Sequence, residues 1–201
     1  ARRMAGPTER DRDRWARLAR FAAETATTVG AAILEQDVAV VTRKKGRANF
    51  ATVADHAAEA TIIRRIARRD PGVPVLAEER ADRSLRTAER LWVVDPIDGT
   101  LNFSRGVPFY CVAIGYVEDG KVRAAGIHAP RTGETFAASD GRGATRNGAA
   151  IAVSATARVA YAYVAASLRA GEAATPGSRF AQLNAKTVRL LVEETIACWG
   201  E

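Results

Sequence analysis

The chain has 201 residues, 47% of them apolar, and carries 30 Lys and Arg against 23 Asp and Glu for a net charge of +7. Such a chain can fill one large globular core or two small ones, and its two cysteines, Cys111 and Cys198, exclude a disulfide framework and point to a reducing cytoplasm. The positive charge raises nucleic acid as a partner, but basic residues are scattered among acids, aromatics make up 6%, and no zinc-finger or RNP motif occurs, so a solvated Arg-rich surface is the better reading.

The N-terminus is densely charged without the apolar core of a signal peptide, and no apolar run reaches the ~18 residues of a membrane span. A soluble, cytoplasmic protein with no membrane partner is expected. From Trp15 to Leu34, the residues Trp15, Leu18, Ala22, Val29 and Ile33 recur at helical intervals with Arg and Glu opposite them, which predicts an amphipathic helix. "VVTRKKGRANFATVAD" reads as a loop or short hairpin. A second helix opens at Thr52 and Asp55, carries Ile62, Ile63 and Ile66 on its apolar side, and is stopped by Asp70, Pro71 and Gly72.

Short β-rich runs follow: "VPVLA", "LWVVD", then "FYCVAIGYV" joined to "VRAAGIHA" across Asp119-Gly120, a strong hairpin signal. "ETFAAS" and "AAIAVS" continue the sheet, with "DGRGATRNG" between them as a turn segment built on Asn147-Gly148. Residues 1–153 therefore read as an α+β domain, two helices and then a mostly antiparallel sheet, and residues 154–201 as the start of a second α/β unit.

The run "LWVVDPIDGTLNF" ends a strand in two aspartates three residues apart. Pro96 fixes its own φ and Gly99 accepts angles closed to other residues, so Asp95 and Asp98 can converge on one sharp turn. Converging carboxylates repel unless a cation lies between them; a hard divalent ion with oxygen ligands answers this, Mg2+ fits best, and the Ile97 carbonyl is a further candidate ligand. The competing account is ordinary turn chemistry, with Asp98 as a helix N-cap. A second acidic pair, Glu78 and Glu79, follows "VPVL" as Asp95 follows "LWVV", and parallel neighbouring strands would bring a glutamate beside Asp95. Asp55 closes a capping box with Thr52 or reaches a hydroxyl such as Thr100. Trp92 is expected in the core, Cys111 as a small apolar residue within a strand, His56 and His128 as structural, and Lys44 and Lys45 on a solvated surface.

These segments resemble the inositol monophosphatase family of magnesium-dependent, lithium-sensitive phosphatases. "VLAEER" and "WVVDPIDGTLNF" match its two acidic signatures, "KGRANFATVADHAAEATI" its Lys and Val-Thr-Asp segment, and "RGVPFYCVAIGYVEDGKVRAAGIHAP" and "GRGATRNG" its following strands and glycine turn. The resemblance covers about residues 15 to 155. It implies a layered αβαβα sandwich of the sugar phosphatase type, a homodimer, and hydrolysis of a small polyol or sugar phosphate such as inositol monophosphate. Carried over, it assigns one Mg2+ to Glu78, Asp95 and the Ile97 carbonyl and a second to Asp95 and Asp98. Thr100, oriented by Asp55, would position the attacking water, Glu78 would assist as base, and the Gly99 and Thr100 amides would receive the substrate phosphate. The reaction would be an in-line displacement without a phosphoenzyme. In "IACWGE", Gly200 stands where the resemblance would have the aspartate of the family's Trp-Asp motif; without the second domain that carries it, Asp98 would lose a partner ligand and weak binding of the second ion is expected, with a homologue that binds a phosphorylated ligand without turnover as the alternative.

Overall fold

Helix α1 (Glu9–Leu34) begins six residues before its apolar stripe, because its entirely polar first turns are held by a capping box: Thr8 Oγ1 accepts from the Asp11 amide at 3.2 Å, and Asp11 Oδ2 accepts from the Thr8 amide at 3.0 Å. Glu9 and Asp11 add negative charge where the helix dipole favours it. The stripe then behaves as its spacing predicts, with Trp15, Leu18, Ala22, Val29 and Ile33 all buried. The computed structural model describes residues 6–35, 41–44, 50–77, 85 and 87–158, with the backbone alone for 41–44 and 50–53. Two compact units divide the chain, residues 1–152 and 153–201; of the second, residues 153–158 are described and have no regular secondary structure.

Strands β1 (Val41–Lys44) and β2 (Phe50–Thr52) pair antiparallel as a separate two-stranded ribbon, so the segment read as a loop or hairpin takes the second form. Helix α2 (Val53–Arg69) buries Ile62 and Ile66 completely and Ile63 in part. Its stop residue Asp70 also accepts a hydrogen bond at 3.2 Å from the Trp92 indole, which ties the end of α2 to the sheet.

The main sheet has seven strands in sequence order: β3 (Val75–Ala77), β4 (Arg90–Asp98), β5 (Cys111–Glu118), β6 (Lys121–Ala129), β7 (Glu134–Ser139), β8 (Gly143–Arg146) and β9 (Ala149–Ile151). In this sheet only β3 and β4 run parallel; every other neighbouring pair is antiparallel. Asp119-Gly120 and Asn147-Gly148 make the two hairpin turns expected of them, all four residues at positive φ. "DGRGATRNG" is more than a turn, however. It contains β8, which has little β propensity of its own and is held by backbone pairing of Ala144 and Thr145 with Ala138 and Ala137.

Helix α1 lies over β5, β6 and β7, and α2 over β4. The core fills the space between, with Trp92, Val94, Ile97, Val112, Ile114, Tyr116 and Ala124 from the sheet. Trp92 is fully buried, as expected, and meets Phe21 and Tyr116 edge-on at 5.8 and 5.1 Å. Gly126 permits the closest approach of helix to sheet: a Cβ there would lie 2.1 Å from the Ala23 amide nitrogen. The architecture is α+β, a helix pair packed on a mixed sheet.

Candidate functional site

The end of β4 is irregular in a way that matters chemically. Asp95 pairs with Ala113 and Asp98 with Cys111, three steps along β4 against two along β5. In a regular strand, residues three apart face opposite sides of the sheet. One extra residue at Pro96 and Ile97 makes a bulge and returns Asp98 to the side on which Asp95 lies. Proline, which has no amide to contribute to the ladder, is tolerated at such a break. Ile97 itself turns into the core, with its amide donating to Asp95 Oδ1 at 3.1 Å.

The chain then turns at Gly99, whose φ of 94° is open to glycine at little cost. A side chain there would also press on the Phe109 carbonyl oxygen at 3.0 Å and on Tyr110. Gly99, and not Asp98, is the N-cap of helix α3 (Thr100–Ser104), and no side chain caps it. The capping account of Asp98 therefore fails, because the bulge directs Asp98 to the sheet face, where it is exposed.

Thr100 is the meeting point of three elements. Its hydroxyl lies 2.9 Å from the Ile97 carbonyl oxygen and 3.2 Å from Asp55 Oδ1, two acceptors within reach of its single hydrogen. Asp55, in the first turn of α2, is 2% exposed. The structure thus brings Asp55, Thr100 and the Ile97 carbonyl together beside Asp95 and Asp98. Cys111 departs from expectation: it does not pack among core side chains but lies half-buried opposite Asp98, with Sγ 3.9 Å from Asp98 Oδ2. Burial first, then the charges of Asp98 and Asp95 and the hydrogen bond to Asp98, push its thiol up to about 11. Cys111 pairs with Asp98 and Ala113 with Asp95, and residues two apart on β5 lie on one face of the sheet.

Glu78 and Glu79 lie outside the described residues, as do Lys45 and the side chains of Thr52 and Lys44. Strands β3 and β4 are parallel, with Ala77 opposite Val94. The residue before Glu78 is thus level with the residue before Asp95. Among the described residues, no group of three or more His, Cys, Asp and Glu is arranged to hold a metal. The oxygens present there, two carboxylates on one face and a carbonyl at the bulge, are of the hard type that suits Mg2+.

His56 is exposed; His128 is buried, with Nδ1 2.8 Å from Thr135 Oγ1, in keeping with a structural role. Sequence reasoning missed Glu59, which is 1% exposed one helical turn beyond Asp55. Its signal was available: an acid four residues after Asp55 lies on the same helix face. Asn102, a less secure candidate from the sequence, turns its side chain to the backbone, its amide donating to the Phe109 carbonyl at 2.7 Å.

The fold is a helix pair on a mixed sheet, with acidic residues and a part-buried Asp-Thr pair at a bulged strand end. Residues 13–193 match the model of the inositol monophosphatase family, and the chain belongs to that family of phosphatase-type hydrolases. It is 39% identical over 114 residues to a fructose-1,6-bisphosphatase/inositol-1-monophosphatase of Thermotoga maritima, a stretch covering 57% of this chain and 43% of that protein. It is 36% identical over 110 residues to Nus factor SuhB of Escherichia coli, covering 55% and 41%. Among solved structures, an IMPase of Thermotoga maritima superposes with a TM-score of 0.65 at 35% identity, over 72% of this chain and 56% of that one. SaIMPase-II with 2'AMP bound gives 0.69 at 26% identity, over 87% and 63%. The chain spans less than half the length of those two sequence relatives and under two thirds of those solved chains.

Proposed function

We propose that the chain carries the catalytic corner of a magnesium-dependent phosphomonoesterase acting on a small polyol or sugar phosphate of the inositol monophosphate type. The observation that carries this reading is the bulge at Pro96 and Ile97, which sets Asp95 and Asp98 on one face while the Asp55-bound Thr100 hydroxyl stands at its edge. Asp95, Asp98 and the Ile97 carbonyl would hold Mg2+ together with Glu78, an assignment supported by the parallel register of Ala77 with Val94. Bound magnesium supplies charge neutralisation and a lowered water pKa. Asp55 accepts from Thr100 and so leaves the threonine oxygen oriented to hold the attacking water, with Glu78 as the assisting base. The amides of Gly99 and Thr100, at the turn into α3, would bind the ester phosphate.

A homodimer belongs to the same reading; Phe109, 72% exposed, and Leu101, 40% exposed, are apolar surface suited to burial in it. A domain boundary near residue 153 belongs to it as well. Nucleic acid and membrane are not partners in this proposal, and the cytoplasm is its compartment; among the described residues no helix is long and apolar enough to cross a membrane.

The test is phosphate release from a panel of small monoesters, with and without chelator, by the chain and by Asp95→Asn. Release should require magnesium and should vanish in the variant while its circular dichroism is unchanged; release that persists in chelator refutes the proposal. Thermal stabilisation by a monoester without turnover would select the second reading, a homologue that binds a phosphorylated ligand without hydrolysing it.

A further inference from the structure

Helix α3 is five residues long and has no side-chain cap, so it cannot set its own position; a single turn is well below the length at which helices persist unaided. Its placement must come from neighbours, and Asn102 supplies more of them than any other residue of α3. The Asn102 carbonyl accepts from the amides of Val107 at 2.9 Å and Arg105 at 3.1 Å. Its side-chain amide donates to the Phe109 carbonyl at 2.7 Å. One residue therefore fastens the 105–109 turn at both ends.

The Phe109 carbonyl is not a passive acceptor. It is the oxygen that a side chain on Gly99 would meet at 3.0 Å, so it backs the corner from which Thr100 starts. Two residues further on, Cys111 pairs with Asp98 across the bulge. The Phe103 ring, edge-on to Tyr110 at 5.1 Å, adds an apolar contact between the same two segments but carries no directional constraint on the carbonyl.

We propose that Asn102 is a positioning residue for the reaction: its side-chain amide latches the Phe109 carbonyl against the Gly99 corner, and through that corner holds the Thr100 hydroxyl on Asp55 and Asp98 on the face of Asp95. Asn102 does not touch the reacting atoms. The role rests on the phosphatase reading above, but the latch has a consequence that can be measured without turnover.

The experiment compares the full chain with Asn102→Ala by amide hydrogen exchange and by magnesium-dependent phosphate release. The hydrogen-bonded amides of Phe103 and Val107 should exchange at least about tenfold faster in the variant while those of α1 and β6 keep their protection. Displacing Thr100 by a fraction of an ångström to 1 Å should lower kcat by about tenfold to a hundredfold with KM nearly unchanged, since alignment and not affinity is lost. Asn102→Asp, similar in shape but without the donor at neutral pH, should reproduce both effects and serves if the alanine variant does not fold. Unaltered exchange in α3, or a variant that changes KM and spares kcat, overturns the proposal. If the unmodified chain releases no phosphate, the phosphatase reading fails, and exchange in α3 alone decides whether the latch exists.

Discussion

Thr100→Val separates a structural hydroxyl from a working one. The substitution keeps the branched shape and removes the donor shared by Asp55 and the Ile97 carbonyl. A hydrogen bond to a charged group contributes ~1.5–3 kcal/mol. For a domain of this size, ~1 kcal/mol moves the melting temperature by about 2–4 °C, so Tm should fall by about 3 to 12 °C. If the hydroxyl only stabilises the fold, turnover measured well below Tm should hardly change. If it also positions the attacking water, kcat should fall by about 10²–10⁴-fold, the range for loss of a positioned proton-handling group. That corresponds to about 2.7–5.4 kcal/mol at ~1.36 kcal/mol per decade, a loss in the barrier that lowered stability does not produce when turnover is measured well below Tm. Thr100→Ser, which retains the oxygen, should keep kcat within about tenfold while losing a little stability to its freed side-chain rotor. The assay is magnesium-dependent phosphate release beside thermal unfolding. Wild-type kcat in Thr100→Val, or equal damage in Thr100→Ser, would refute the role given to this hydroxyl.

Three further outcomes are expected. Asp98→Asn should weaken magnesium binding measured by calorimetry at least about tenfold, since half the charge of the paired carboxylates is lost while the bulge is kept; unchanged affinity would remove Asp98 from the site. Gly126→Ala should destabilise by ~1–3 kcal/mol or more in urea unfolding, because its Cβ would meet backbone atoms of Ala22 and Ala23 at 2.5 and 2.1 Å. Gly115→Ala, whose nearest neighbour would be at 3.9 Å, is the tolerated control. For His128, burial lowers the folded pKa below the ordinary 6.5. The unfolded imidazole then takes up a proton at a pH where the folded one does not, so stability is full above about 6.5 and declines as pH falls from there to the folded value. His128→Gln should flatten that slope between pH 7.5 and 5.5, and an equally steep slope in the variant would assign it to other groups.

Local chemistry explains why much of this was legible in the chain alone. The spacing of Trp15, Leu18, Ala22, Val29 and Ile33 is a property of one helix and survives any arrangement of its neighbours. Asp119-Gly120 and Asn147-Gly148 were readable because positive φ is a demand made on single residues. The Asp55 and Thr100 pairing stood in the sequence as one of two possibilities, beside a capping box with Thr52, and the family resemblance favoured it. By contrast, β8 was read as a turn because its residues carry no strong strand preference and are held by the backbone of β7. Glu59 went unnoticed because burial of an acid depends on what packs over the helix, which no local pattern reports.

What the chain determined by itself, then, is composition of the corner: two aspartates, a proline, a glycine and a threonine within six residues, with acids in wait upstream. What only the tertiary structure decided is that Asp95 and Asp98 share a face. Their spacing of three would divide them in a regular strand, and the bulge that reunites them exists only in the pairing of β4 with β5. The same holds for the level approach of β3 to Asp95 and for the thiol of Cys111 beside both carboxylates. Periodicity is a short-range property, whereas register is set by hydrogen bonds between segments distant in sequence, so only the paired sheet could place these charges together.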